Sequence, residues 1–140
     1  MRDLVHNETY EIAIAPAVAT DNTAIVGNWI NVAGYDALSF SIFTGAITGT
    51  PTFTVLVEDA DAADQSDHAA VASNYLLSRV PGVDAETAAG NDLAGANTAT
   101  KIGYIGSKQY VRITVTPASN TSAALAAVAK LGNPSVRPAP

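Results

Sequence analysis

Three features predict an all-β chain, an antiparallel β-sandwich of jelly-roll-like type with about eight strands. Apolar and polar residues alternate with period two, turn signals recur at regular spacing, and 140 residues suit a single ordinary domain. The strand candidates follow in order. In 9–18, Tyr10, Ile12 and Ile14 are expected on one inward face. Residues 24–32 come next, then 36–44, where Leu38, Phe40 and Ile42 face inward and Ser39 and Ser41 outward. In 52–58, Phe53, Val55 and Val57 take the inward positions. Residues 69–79 follow, although Ser73 to Ser78 fits a short helical turn equally well, and then 98–105. In 109–116, Val111, Ile113 and Val115 face inward while Tyr110, Arg112, Thr114 and Thr116 face outward. The last candidate, 122–131, reads SAALAAVAKL; its alanines favour a helix, but its place after a strand and a turn favours a strand.

Turns are marked by Asp21-Asn22, Ala33-Gly34, Gly45 to Pro51, Pro81-Gly82, Gly90 to Asn97, Gly106-Ser107 and Pro117 to Asn120. Residues 83–100 are small, polar and glycine-rich, so a long loop is expected there, suited to lie on a neighbouring molecule. The chain divides into an N-terminal arm (1–8), a sandwich domain (9–131) and a proline-rich extended tail (132–140) that is not expected to continue a ladder.

Composition narrows the function. There is no cysteine, hence no disulfide, thiolate nucleophile or cysteine-based zinc site. No stretch approaches the ~20 apolar residues of a membrane helix, and the charged N-terminus does not read as a secretory signal. A net charge of −6 argues against direct nucleic-acid binding. The charge is also lopsided: residues 1–100 hold all 13 acids with only Arg2 and Arg79, whereas 101–140 hold Lys101, Lys108, Arg112, Lys130 and Arg137 and no acid. Either basic strands pair with acidic ones inside the domain, or two faces of opposite sign meet different partners.

The sequence EDADAADQSDH (58–68) concentrates five carboxylates before a histidine. Asp59, Asp61 and Asp64 echo the start of a helix-bounded calcium loop, but Ala63, Asp64 and Ala70 stand where an oxygen ligand, glycine and glutamate are required. A solvated inter-strand turn, whose charge also guards the apolar strand before it, is the economical reading. Neither a G-x-S-x-G elbow nor a phosphate loop is present, and His6 and His68 lack ligand spacing. These features predict no enzyme, no cofactor and no metal site. The rival from another class is a calcium- or carbohydrate-binding sandwich module of a tail fibre or secreted protein, with Asp59, Asp61 and Asp64 as ligands.

Gly106-Ser107-Lys108 reads as a tight turn joining 98–105 to 109–116 in a hairpin, with Gly106 free to take positive φ. The segment GYIGSKQYVRITVT around that turn, with the LVHN start (Leu4 to Asn7), GYDALSFSIFTG (Gly34 to Gly45) and the LGNPSVRP end, resembles the capsid cement, or decoration, proteins of tailed bacteriophages. The order of landmarks spans nearly the whole chain, and the hairpin of about fifteen residues is its specific part. The resemblance implies a jelly-roll-like sandwich without enzymatic activity. It implies a homodimer, made in the host bacterial cytoplasm, that sits on the outer capsid surface of the virion and binds the major capsid protein. The candidate interface residues are Arg2, Leu4, Val5 and His6 in the arm, Lys108, Tyr110 and Arg112 in the hairpin, and Pro134, Val136 and Arg137 in the tail. Tyr and Arg anchor interfaces, and extended termini leave backbone groups free to pair.

Overall fold

The computed structural model describes residues 3–119 and 122–136. Ten strands and one helix follow in the order β1 (Glu8–Ala19), β2 (Ile25–Val26), β3 (Ile30–Asn31), β4 (Tyr35–Thr48), β5 (Thr52–Ala60), β6 (Ala69–Ala70), β7 (Leu76–Ser78), α1 (Ala85–Leu93), β8 (Ala99–Tyr104), β9 (Tyr110–Ala118) and β10 (Ser122–Pro134). Sheet A has the order β1-β10-β4-β8-β7, and sheet B the order β2-β9-β5-β6, with β3 also on β9. All pairings are antiparallel. The chain passes repeatedly from one sheet to the other, which gives the interleaved connectivity of a jelly roll.

The expected fold class is therefore the observed one, with two strand candidates divided. Residues 24–32 split into β2 and β3, because Asn28 turns from β9 to β1 of the other sheet while Gly27 stays on β9. The Gly27 N–H donates to the Ile113 carbonyl (2.9 Å) and the Asn28 N–H to the Ala13 carbonyl (2.7 Å). Residues 69–79 split into β6 on sheet B and β7 on sheet A, with a single 3-10 turn, Ser73–Tyr75, at the crossing.

The core lies between the sheets. Leu38, Phe40 and Ile42 of β4 meet Phe53, Val55 and Val57 of β5 and Val111, Ile113 and Val115 of β9 within one buried cluster. In β10, Ala123, Leu125, Ala127, Ala129 and Leu131 are all buried and alternate strictly with half-exposed neighbours. Pairing with β1 on one side and β4 on the other overrides the helix propensity of its alanines. The ladder runs on to Pro134, opposite Tyr35, past the boundary expected at Leu131. Proline is tolerated there because it occupies the end of the strand.

Three expectations need correction. Tyr10 and Ile12 do not point inward with Ile14; they are 62% and 57% exposed. The register with β10 shifts between Ile12 and Ile14, and such a bulge reverses which side faces the core. Second, 98–105 and 109–116 are not a hairpin, since β8 belongs to sheet A and β9 to sheet B. Gly106 does not take positive φ either. It is needed for closeness instead: a Cβ there would stand 2.3 Å from the Tyr104 hydroxyl oxygen.

The third correction concerns 83–100, which folds as α1 on its own sandwich. The Asp84 carboxylate caps the helix by accepting the Thr87 N–H (2.9 Å), and Ala85, Ala88, Ala89 and Leu93 are buried. The helix lies along β5 closely enough that a Cβ on Gly90 would come 2.3 Å from the Phe53 carbonyl oxygen. Glu86 Oε1 accepts the Val57 N–H (2.6 Å), a bond that a further strand would otherwise make. At its far end, Asp92 receives a bidentate pair from Arg79 (3.0 and 2.7 Å) and a bond from the Thr100 hydroxyl (2.7 Å).

Candidate interface

The acidic run begins inside β5 and ends in the turn before β6. Alternation sends Asp59 inward and Glu58 outward, and each finds a partner from another element. The Tyr104 hydroxyl of sheet A donates to Asp59 of sheet B (2.8 Å) and accepts the Lys108 N–H (3.1 Å). One phenol thus ties both sheets and the link between them. Burial raises its pKa well above the ordinary phenol range, so it stays protonated.

Asp67 accepts the backbone N–H groups of Asp61 and Ala62 (both 3.0 Å), and these bonds hold its carboxyl below the usual range. Lys108 Nζ reaches Asp61 at 2.9 Å and Asp67 at 3.8 Å. Asp64 accepts from the Ser66 N–H and hydroxyl, which lowers its pKa. Asp59, Asp61 and Asp64 therefore turn to three different partners. Among the described residues, no group of three or more His, Asp or Glu side chains is gathered for a metal ion.

Outside the corner, Arg112 of β9 donates from Nε to Glu58 (2.7 Å) and stacks over Trp29 at 4.5 Å from the ring centroid. His68 meets the edge of the same indole at 6.0 Å and lies 3.8 Å from Glu58. Sequence reasoning missed Trp29, Glu58 and His68 as companions of Arg112, because the β5/β9 register alone sets Glu58 opposite Arg112, and Trp29 and His68 reach it from the β2–β3 and β5–β6 links.

Three of the five basic residues of 101–140 find acidic partners within the domain, in the manner of the cross-strand reading. Arg112 pairs with Glu58, Lys108 with Asp61, and Lys130 with Glu8 (2.7 Å), each joining the basic last third to an acidic earlier strand or turn. The acidic turn and the basic strands adjoin one another instead of forming opposite faces.

The candidate interface residues fall into three groups. Leu4 and Val5 are exposed, and His6 is held by Asp3. Pro134 is buried at the end of β10, and Val136 beyond it is exposed. Lys108 and Arg112 are engaged as described, with half-buried Tyr110 between Asn31 and Ala60. Arg2 and Arg137 lie outside the described residues. Register places the start of β1 beside the end of β10, through Glu8 opposite Gly132. The Ser135 N–H then bonds to the Gly34 carbonyl (2.8 Å). A hollow of 470 Å³ joins Val32–Asp36 to Gly106–Gln109. The arm, the C-terminal segment and the 106–109 link thus border one end of the sandwich, with Arg112 further along β9.

A second surface was not anticipated. The outer face of sheet A carries exposed Tyr10, Ile12 and Val18 from β1 and Phe43 from β4, with Ala124, Ala126 and Val128 of β10 between them. The signal was present in the alternation: if Leu38, Phe40 and Ile42 face inward, Phe43 must face out.

No protein-family model and no curated protein matches the sequence. Solved structures do share the fold. The crystal structure of the infectious bursal disease virus VP2 subviral particle matches with a TM-score of 0.54 and 9% identity, over 91% of this chain and 32% of that one. A structure of the Gx strain of the same virus gives a TM-score of 0.47 at 9% identity, over 94% and 35% of the two chains. The Bacillus endospore appendages, described as disulfide-linked pili, give 0.39 at 11% identity, over 91% and 88%. The chain spans about a third of the viral protein it matches, and at such identity the likeness is one of fold: this sandwich is of a kind found in a viral capsid protein.

Proposed function

We propose that this chain is a structural virion protein, a cement protein that binds the outside of a tailed-phage capsid and stabilises contacts between major capsid protein subunits. The observation that carries the proposal is the sandwich shared with a viral capsid protein over 91% of the chain, and the phage-cement landmarks along the sequence support it. The specific landmark, 103–116, forms the β8–β9 crossing, and 34–45 forms β4; the two meet at the bordered end of the sandwich.

The physical role requires no catalysis. A ligand that binds only the mature shell stabilises it by mass action. Several weak patches suffice when one molecule touches several subunits, because each further contact forms at high effective concentration. The 106–109 link, the arm and the C-terminal segment suit such contacts, and the fold leaves all three at one end.

Cosedimentation with mature and with unexpanded shells tests the reading. The chain is expected to pellet with mature shells at micromolar concentration and to raise their resistance to heat. A chain that remains in the supernatant with both would end the proposal.

A further inference from the structure

The Glu58 carboxylate of sheet B has two oxygens and a different neighbour for each. Oε2 accepts the Arg112 Nε–H at 2.7 Å, and Oε1 faces His68 Nε2 at 3.8 Å. Arg112 is itself fixed by its stack on Trp29, so the carboxylate is held in place with one oxygen left over.

The turn orients the imidazole. His68 Nδ1 lies 2.9 Å from the Gln65 carbonyl oxygen, which can only accept, so Nδ1 carries the proton in the neutral ring. Nε2 then presents a lone pair to Glu58 at a distance too long for a hydrogen bond. Two acceptors face one another. A second proton makes Nε2 a donor aimed at the free oxygen, and attraction replaces repulsion. Imidazole is the side chain that changes charge in this way between about pH 5 and 8.

We propose that His68 is an acid-operated latch: protonated, it fastens the turn 61–68 onto β5 through Glu58, and neutral, it lets the turn loose. The backbone passes the pull on. Gln65 stands at φ 55°, in the left-handed region, and its carbonyl receives both the His68 N–H (3.2 Å) and the His68 ring (2.9 Å). Exposure suits both partners. The Glu58 side chain is 14% exposed, so its charge is little screened, whereas His68 at 45% stays open to protons from solvent.

The remaining charged and titratable groups around the latch are engaged elsewhere. In the turn, Asp67 holds two backbone N–H groups and lies 3.8 Å from Lys108, and Asp64 serves Ser66. On β9, the Tyr110 hydroxyl accepts from Gln109 (3.4 Å). Arg112, on the same carboxylate, is the cation that opposes protonation. β6 and the β2–β3 link bring no titratable side chain. The latch is a property of the isolated chain and does not rest on the shell-binding reading.

Trp29 is the single tryptophan, and its indole meets the His68 ring at 6.0 Å. A protonated imidazole quenches an adjacent indole, so fluorescence reads the charge directly. Emission of the full chain is expected to fall between about pH 8 and pH 5, to stay flat in His68→Gln at an unchanged far-UV spectrum, and to fall as before in His6→Gln. Hydrogen exchange of the turn amides reads the fastening. Corrected for intrinsic rate, the Gln65 and His68 N–H groups are expected to exchange about threefold more slowly in acid, the scale of one partly exposed ion pair. Glu58→Gln is expected to abolish that difference and to leave the fluorescence change in place. Flat emission in the wild type, or an equal fall in His68→Gln, overturns the proposal. So does exchange that is the same at both pH values, or whose pH dependence survives Glu58→Gln, because the histidine then titrates without holding the turn.

Discussion

Residues 58–68 and 83–100 are both rich in alanine and polar groups, yet the first is a strand end and a turn and the second closes one side of the sandwich with a helix. The difference is the spacing of small apolar groups. Ala85, Ala88, Ala89 and Leu93 fall at helical period and are all buried. In 61–67 only Ala62 and Ala63 are apolar and no period develops, so the backbone N–H groups there go to carboxylates instead. Alanine can carry a contact only when the two backbones come close. The closeness of α1 to β5 at Gly90 is therefore the feature on which that side of the fold depends.

Substituting that glycine is the largest perturbation expected. Gly90→Ala drives a methyl into the Phe53 carbonyl, and the whole helix must lift from β5. A loss of about 3 kcal/mol is expected, read as a lower urea midpoint. An unchanged midpoint would show that α1 is not seated on the strand, and the contrast between the two segments would collapse.

On the acidic side the comparable element is Tyr104. Tyr104→Phe leaves the half-buried Asp59 carboxylate and the Lys108 N–H without their shared partner, at an expected cost of about 2 kcal/mol. Calorimetry reads it as a lower Tm. A neutral result would mean that the corner is held by its surface carboxylates alone.

Alternation is the part of the fold that sequence shows well. β4, β5 and β9 bury the expected side chains because a strand with one covered face has a strict period of two. It fails where the period is broken without a marker: no residue in TYEIAIAP announces the bulge that turns Tyr10 and Ile12 outward. The helix was hidden for another reason. Its apolar face is three alanines and one leucine, too weak a stripe to stand out from a glycine-rich loop. The Arg112 cluster was half visible, since Arg112 was expected outward, but its partners lie more than forty residues away in the chain or on the far side of β9, and only pairing unites them.

Within the acidic turn, residues of one type should differ in importance. Asp67 holds two backbone N–H groups, whereas Asp64 serves only Ser66 two residues away. Asp67→Ala is expected to lower Tm by less than Tyr104→Phe does, and Asp64→Ala by less again. The Asp67 effect should fade with acid: its carboxyl pKa is depressed in the folded state. The stability it contributes is present above the ordinary aspartate range and is lost as pH falls through the folded value. Equal effects of the two substitutions at neutral pH would mean that the turn is held by overall solvation and not by these bonds.

The smallest expected effect has the opposite sign and comes from α1. Glu86 accepts the Val57 N–H in a half-buried position, and burial, the largest influence on it, raises its pKa above the ordinary glutamate value. A carboxyl with a raised folded pKa binds its proton more tightly in the folded chain. Stability therefore increases as pH falls through the folded value, is fully gained below the unfolded one, and is lower at neutrality. The charge is not wholly unwelcome, since Glu86 sits in the first turn of α1, where the helix dipole favours an anion. Glu86→Gln keeps an oxygen for Val57 and removes the charge. The difference in Tm between variant and wild type should then be slightly positive at about pH 7 and fall to zero or below near pH 4, beneath the usual glutamate pKa. Asp67→Ala should follow the reverse course, most costly at neutrality. If both differences run in the same direction with pH, carboxylates in the two segments act alike, and the contrast between a helix that shields its acid and a turn that leaves its acids in water fails.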